Sequence, residues 1–248
     1  MLRIIAIGGG EIGRPGFPVE TTKIDQEIVR LSGKKHPRLL FIPTASSDSQ
    51  TYLDTVQKHF GQRLGCIITN LLLIKEKPSI KIIRSKILNT DIIYVGGGNT
   101  DKMLKIWRRY GIDKIIKQAY RKNIILSGLS AGAICWFKFG STDSKSSDRS
   151  DSYTKLKGLG LVSLTLSPHH IREKKRKPAL IKIMKSTPGV GIALDDYSAL
   201  EIVNDSYRII TSKSLPKAHK VYYQNKKLIY KPIKKQTQFL PLSELLQK

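Results

Sequence analysis

Only two cysteines, Cys66 and Cys135, occur in 248 residues, too few for a disulfide framework and without metal-ligand spacing. Both sit among apolar neighbours, as small buried hydrophobes do. No cluster of His, Cys and carboxylates has zinc spacing, so no required metal is expected. No apolar run reaches the roughly 18 residues of a membrane span, because Lys, Asn or Asp interrupts the longest ones. The chain opens directly on MLRIIAIGGG, a strand and turn rather than a signal peptide with a cleavage site. A cytoplasmic protein with no membrane partner is expected.

Acidic residues are also scarce, 19 against 44 Lys and Arg, which leaves a formal net charge of +25. Clustered Lys and Arg would point to nucleic acid. Here the lysines are spread along the whole chain, densest at REKKRK (172–177) and in the C-terminal third. Few aromatics interleave with them to stack bases. Solvated lysines on helix faces account for the charge, and nucleic acid is not the expected partner.

What is present is a repeated alternation of short apolar runs with amphipathic segments. Strands are expected at 2–7, 38–43, 67–74, 91–95 and 123–126, and helices at 23–32, 52–64, 102–110 and 113–122. Further strands are expected at 157–166, 190–194 and 200–203, with antiparallel hairpins over 207–230. This order predicts an α/β fold: a mostly parallel sheet flanked by helices, with an antiparallel edge near the C-terminus. Nothing resembles a linker between domains, so one domain over 1–248 is expected. The polar stretch STDSKSSDRSDS (141–152) is the one segment of low complexity.

GLSAG (128–132) matches G-x-S-x-G, the pattern of a serine on a tight strand-to-helix turn. The context agrees, since an apolar strand precedes it and AGAICWF can begin a helix. A serine needs a base. Of the five histidines, His169 and His170 stand at the end of the run LVSLTL, where catalytic groups gather in open α/β sheets. An orienting carboxylate could come from Asp143, Asp148 or Asp151, among which spacing does not choose. GGGNT (96–100) also follows a strand and precedes a helix. It suits either an anion at a helix N-terminus or a backbone N–H for an oxyanion.

VGGGNT (95–100), GLSAGAICWF (128–137), TDS (142–144) and Pro168-His169 resemble the peptidase E-like serine hydrolases. That family includes α-aspartyl dipeptidase and, more distantly, cyanophycinase. IIAIGGGEI, IPTASSDS (42–49), KGLGLV (157–162) and GIALDD (191–196) extend the resemblance over nearly the whole chain. It implies a three-layer fold like that of class I glutamine amidotransferases, with Ser130 where those enzymes carry Cys. It further implies Ser130 as nucleophile, His169 as base, Asp143 as the acid, and Gly98 and Ala131 as oxyanion N–H donors. Arg176 matches an arginine that would meet the side chain of an N-terminal Asp. The implied activity is hydrolysis of short peptides, Asp-X dipeptides among them, through an acyl-enzyme and without a cofactor. The alternatives are an inactive binding or regulatory protein on the same fold and a nucleic-acid-binding protein. Pairing as a homodimer is left open by the sequence.

Overall fold

Strands in the first half of the chain are apolar on both faces, the pattern of a sheet covered on both sides. In the computed structural model, which describes residues 2–144, 153–214 and 217–248, they form a parallel array. These strands are β1 (Arg3–Ile7), β2 (Arg38–Ile42), β3 (Ile67–Asn70), β4 (Ile92–Val95) and β5 (Ile125–Leu129). Strands β6 (Phe137–Thr142), β7 (Thr154–Lys157), β8 (Val162–Ser167) and β9 (Val190–Leu194) belong to a second sheet. β10 (Ser198–Val203) and β11 (Ser206–Thr211) return to the first. β12 (Ala218–Gln224) and β13 (Lys227–Ile233) complete the second, and β14 (Leu240–Pro241) ends the first. The orders are β14-β11-β10-β1-β5-β4-β2-β3 and β13-β12-β9-β8-β6-β7. The large sheet is parallel from β1 to β3 and antiparallel from β1 outward through β10.

Side chains alternate across the large sheet with the period of two that strands impose. Ile4, Ala6, Leu40, Ile93 and Val95 join one core, which also takes in Leu164, Leu166 and Ile192 of the second sheet. Ile5, Ile7, Leu39, Phe41 and Tyr94 join another. That second core is closed by α1 (Thr22–Leu31), through Ile24 and Ile28, and by α2 (Gln50–Val56), through Leu53 and Val56. On the first side lie α3 (Ile80–Leu88), α4 (Thr100–Arg109) and α5 (Ile112–Arg121). In α5 the buried residues Ile112, Ile115, Ile116 and Ala119 fall on one helical face. The remaining helices are α6 (Ala131–Ile134), α7 (Arg176–Lys185) and α8 (Leu242–Leu246).

Four expectations are modified. The run 157–166 is not one strand but the end of β7, a turn over 158–161 and most of β8, and 67–74 is extended only through β3. The helix at 52–64 changes to π-helical turns over Gln57–Arg63. Most consequential is the second sheet, since β9 leads directly to β10 and so carries the chain from one sheet to the other.

Candidate active site

Parallel pairing sets Ile7 beside Leu129 and Val95 beside Gly128, so the turns after β1, β4 and β5 converge at one end of the sheet. Ser130 stands on that edge between β5 and α6, with φ 56° and ψ −109°, outside the regions a non-glycine residue ordinarily occupies. Such a backbone costs about 1–3 kcal/mol and persists where its surroundings hold it. Here Ser130 N–H donates to Ile7 O at 3.1 Å, and Ser130 O accepts from Ile134 N–H at 2.9 Å. The small flanking residues are a packing requirement, because a Cβ on Gly132 would lie 2.0 Å from Val95 O.

His169 arrives from the other sheet, two residues beyond β8. Its Nε2 is 2.6 Å from Ser130 Oγ, and its Nδ1 is 2.7 Å from Asp196 Oδ1. Asp196 lies in the β9–β10 turn. Asp195 braces that turn: its Oδ2 accepts from Lys217 N–H at 2.8 Å and its O from Ser198 Oγ at 2.7 Å. Tyr197, at φ 66°, donates its N–H to Gly9 O at 2.9 Å and so docks the turn against the loop after β1. Burial works against the charge on Asp196. Hydrogen bonds and charges from His169 and Arg172 outweigh it and hold the carboxyl below its ordinary pKa. Asp196 is held in its ionised form as an acceptor beside His169 Nδ1, which leaves His169 Nε2 facing the Ser130 hydroxyl.

The structure brings Ser130 and His169 together as the sequence suggests, but not Asp143. That side chain is exposed on the segment after β6, beside the N-terminus of α4, and the carboxylate facing the imidazole is Asp196. Asp148 and Asp151 lie outside the described residues. The signal for Asp196 was the acidic pair that closes an apolar run of strand length in GIALDD. Arg176 is also corrected as a free substrate cation. It is buried, donates to Glu173 Oε2 at 2.5 Å and Ser141 O at 2.8 Å, and stacks on Tyr153. His170 points away from the serine, with its Nε2 2.5 Å from the Tyr230 hydroxyl. Burial, and then the charges of His219, Lys177 and Arg176, push its pKa down to about 4, so it stays neutral.

Gly98 and Ala131 follow β4 and Ser130, and among the described residues neither N–H is used by another group. A cavity of about 460 Å³ opens beside the elbow, walled by Leu129, Gly97, Tyr52, Ile12 and the Glu11–Arg14 ion pair. Among the described residues no three His, Cys, Asp or Glu side chains converge as a metal site would require, and no helix is long and apolar enough to cross a membrane.

A serine, histidine and carboxylate in line at the ends of parallel strands define a class of α/β hydrolytic sites reached by several unrelated chains. This chain belongs to Peptidase family S51, whose sequence pattern it matches over residues 4–210. It is 39% identical over 225 residues to the "uncharacterized peptidase" YgaJ of Bacillus subtilis (strain 168), covering 89% of this chain and 92% of that one. It is 31% identical over 134 residues to the "uncharacterized peptidase" Lmo0363 of Listeria monocytogenes, covering 52% of this chain and 64% of that one. Its fold is similar to the crystal structure of a peptidase from an acI-B1 Actinobacterium, with a TM-score of 0.70, 17% identity and 97% of each chain covered. It is also similar to that of a putative peptidase E protein from Listeria monocytogenes EGD-e, at a TM-score of 0.64 and 20% identity, covering 85% of this chain and 98% of that one. The α/β expectation thus stands, in the form of a peptidase E-type fold.

Proposed function

We propose that this chain is a cytoplasmic serine peptidase that hydrolyses short peptides through a Ser130–His169–Asp196 triad, with residues 1–248 acting as one domain. The observation that carries the reading is the unbroken line from Ser130 Oγ through both ring nitrogens of His169 to Asp196, at 2.6 and 2.7 Å. His169 Nε2 takes the hydroxyl proton as Ser130 Oγ bonds to the scissile carbonyl carbon. The carbonyl oxygen, now negative, is met by the N–H groups of Gly98 and Ala131. As the tetrahedral intermediate collapses, the C–N bond breaks and His169 returns the proton to the departing amine. Water then adds to the acyl-enzyme by the same route and regenerates Ser130. Asp196 holds the ring in the required tautomer and balances the imidazolium that forms at each step.

A cavity of about 460 Å³ beside the elbow suits a peptide of a few residues rather than a long chain. With Arg176 committed to Glu173 and Ser141, a preference for Asp-X dipeptides no longer has its expected cation. The Arg14 on the cavity wall is itself paired with Glu11. The test is a dipeptide library, Asp-X members included, assayed with wild type and Ser130→Ala. Hydrolysis that disappears in a folded Ser130→Ala supports the proposal. Undiminished turnover by that variant, or failure of a fluorophosphonate to label Ser130 in the native wild type, sinks it.

A further inference from the structure

With Asp196 facing the imidazole, the Thr142-Asp143-Ser144 segment has no part in the proposed chemistry. The two hydroxyl residues that flank Asp143 are nevertheless committed to the turn after β4. Ser144 Oγ accepts the N–H of Thr100, the first residue of α4, at 2.9 Å. It also lies 2.8 Å from Thr142 Oγ1, which accepts Ser144 N–H at 3.2 Å. Asn99 Nδ2 donates to Ser144 O at 3.4 Å. Thr142 and Thr100 are buried, so these bonds sit where water competes poorly.

The same turn is gripped from its other side. Asn99 N–H donates to Ala45 O at 2.9 Å, while the Asn99 side chain caps α4 by accepting Lys102 N–H at 2.8 Å. Asn99 and Thr100 are thereby fixed immediately after Gly98. The turn also abuts the elbow, since a Cβ built on Gly97 would lie 3.5 Å from Ser130 Cβ. The segment before Thr142 is tied in turn to the histidine loop. Arg176 Nη1 donates to Ser141 O at 2.8 Å and Arg176 Nε to Glu173, whose N–H donates to His169 O at 3.3 Å. A continuous set of polar contacts therefore runs from the His169 backbone, through the end of β6, to the residues beside Gly98.

We propose that Thr142 and Ser144 are positioning residues that hold the Gly98 amide at oxyanion distance from Ser130, with Arg176 anchoring their segment to the histidine loop. This rests on the serine-peptidase reading above. The chemistry asks for such a device: an oxyanion donor acts only if aimed before the reaction, and loss of one costs roughly 10²–10³ in rate. A displacement of about 1 Å costs on the order of 10².

The test is the second-order rate of Ser130 labelling by a fluorophosphonate. Ser130 Oγ bonds to phosphorus as its proton passes to His169 Nε2 and fluoride leaves, and the P=O oxygen occupies the oxyanion position. Ser144→Ala is expected to label about 10- to 100-fold more slowly at a temperature where circular dichroism shows it folded. Ser144→Thr, which restores a hydroxyl, is expected within about 3-fold of wild type. Thr142→Val, close in shape to threonine, provides a second variant if Ser144→Ala does not fold, and is expected to slow labelling about 10-fold. Wild-type labelling by folded Ser144→Ala and Thr142→Val overturns the proposal. So does an equal loss in Ser144→Ala and Ser144→Thr, which would mean that packing and not the hydroxyl matters. A Ser130→Ala control separates the two readings: labelling that persists there removes the serine peptidase itself, whereas its loss beside a normal Ser144→Ala removes only the positioning role.

Discussion

Thr21, Asp25 and His59 carry the same three kinds of group as Ser130, Asp196 and His169, and they too are linked within hydrogen-bond distance. The order differs. Around Ser130 the imidazole is central, with the hydroxyl on one ring nitrogen and the carboxylate on the other. Around Asp25 the carboxylate is central, and its Oδ2 takes both the Thr21 hydroxyl at 2.6 Å and His59 Nε2 at 2.8 Å. A hydroxyl that gives its proton to a carboxylate has no imidazole to activate it. All three of these residues are also sealed from solvent, whereas Ser130 is half-buried beside a cavity. The contents of the two clusters are alike, and the order of the hydrogen-bonded groups and their exposure separate the candidate active site from an internal brace. The brace ties the start of α1 to the π-helical turns that bring His59 inward.

The largest effects test that contrast on each side. Asp196→Asn keeps the shape of the side chain but offers an amide N–H to His169 Nδ1, which favours the tautomer with its proton on Nε2. The expected loss in kcat is about 10³–10⁴-fold, or roughly 4–5.5 kcal/mol in the barrier, with little change in melting temperature. A kcat within about tenfold of wild type, on the best dipeptide of the library, would show that the imidazole does not depend on this carboxylate. Asp25→Ala should do the opposite. It strips the shared acceptor from two buried groups, so stability should fall by about 3–5 kcal/mol in urea unfolding. The rate of Ser130 labelling per folded molecule should stay within about twofold of wild type, since the brace touches no reacting group. Normal stability with lost labelling would erase the distinction between the clusters.

How much of this could be read from the sequence follows the range of the interactions. Ser130 was legible because its constraints are local: a strand, small residues on both sides, and a helix start within ten positions. His169 was legible from a strand end followed by Pro168 and two histidines. Choosing between His169 and His170 needed the resemblance, because only the fold sends one to Ser130 and the other to Tyr230. The carboxylate that faces the imidazole was not legible, because the acidic stretch 141–152 lies between serine and histidine in the sequence, while Asp196 is 27 residues beyond the histidine. Its position depends on β9 and β10 lying in different sheets, a pairing between distant strands that no local pattern records. Which member of the Asp195–Asp196 pair faces the ring depends further on the left-handed backbone at Tyr197. Arg176 failed for a related reason. A cation in a basic run reads as exposed, yet the first turn of α7 points this one inward, onto Ser141 and Tyr153.

The smallest expected effect concerns the outer partner of the acid, which has no counterpart in the buried cluster. Arg172 Nη1 lies 3.1 Å from Asp196 Oδ2, with its side chain 67% exposed. Solvent and salt screen such a pair, so Arg172→Gln should lower kcat/KM by less than about tenfold. Its signature is in the pH profile. Burial raises the Asp196 pKa, and His169 and Arg172 pull it down, so removing Arg172 moves it up. The proposed mechanism needs this carboxylate ionised, so activity in Arg172→Gln should begin to fall at a higher pH on acidification than in wild type. High salt should move the wild-type limb in the same direction and leave the variant nearly unchanged, since the screened charge is already gone. Coincident acid limbs at low salt would mean that His169 alone sets the charge on Asp196, and that the arginine on its outer face is incidental to the site.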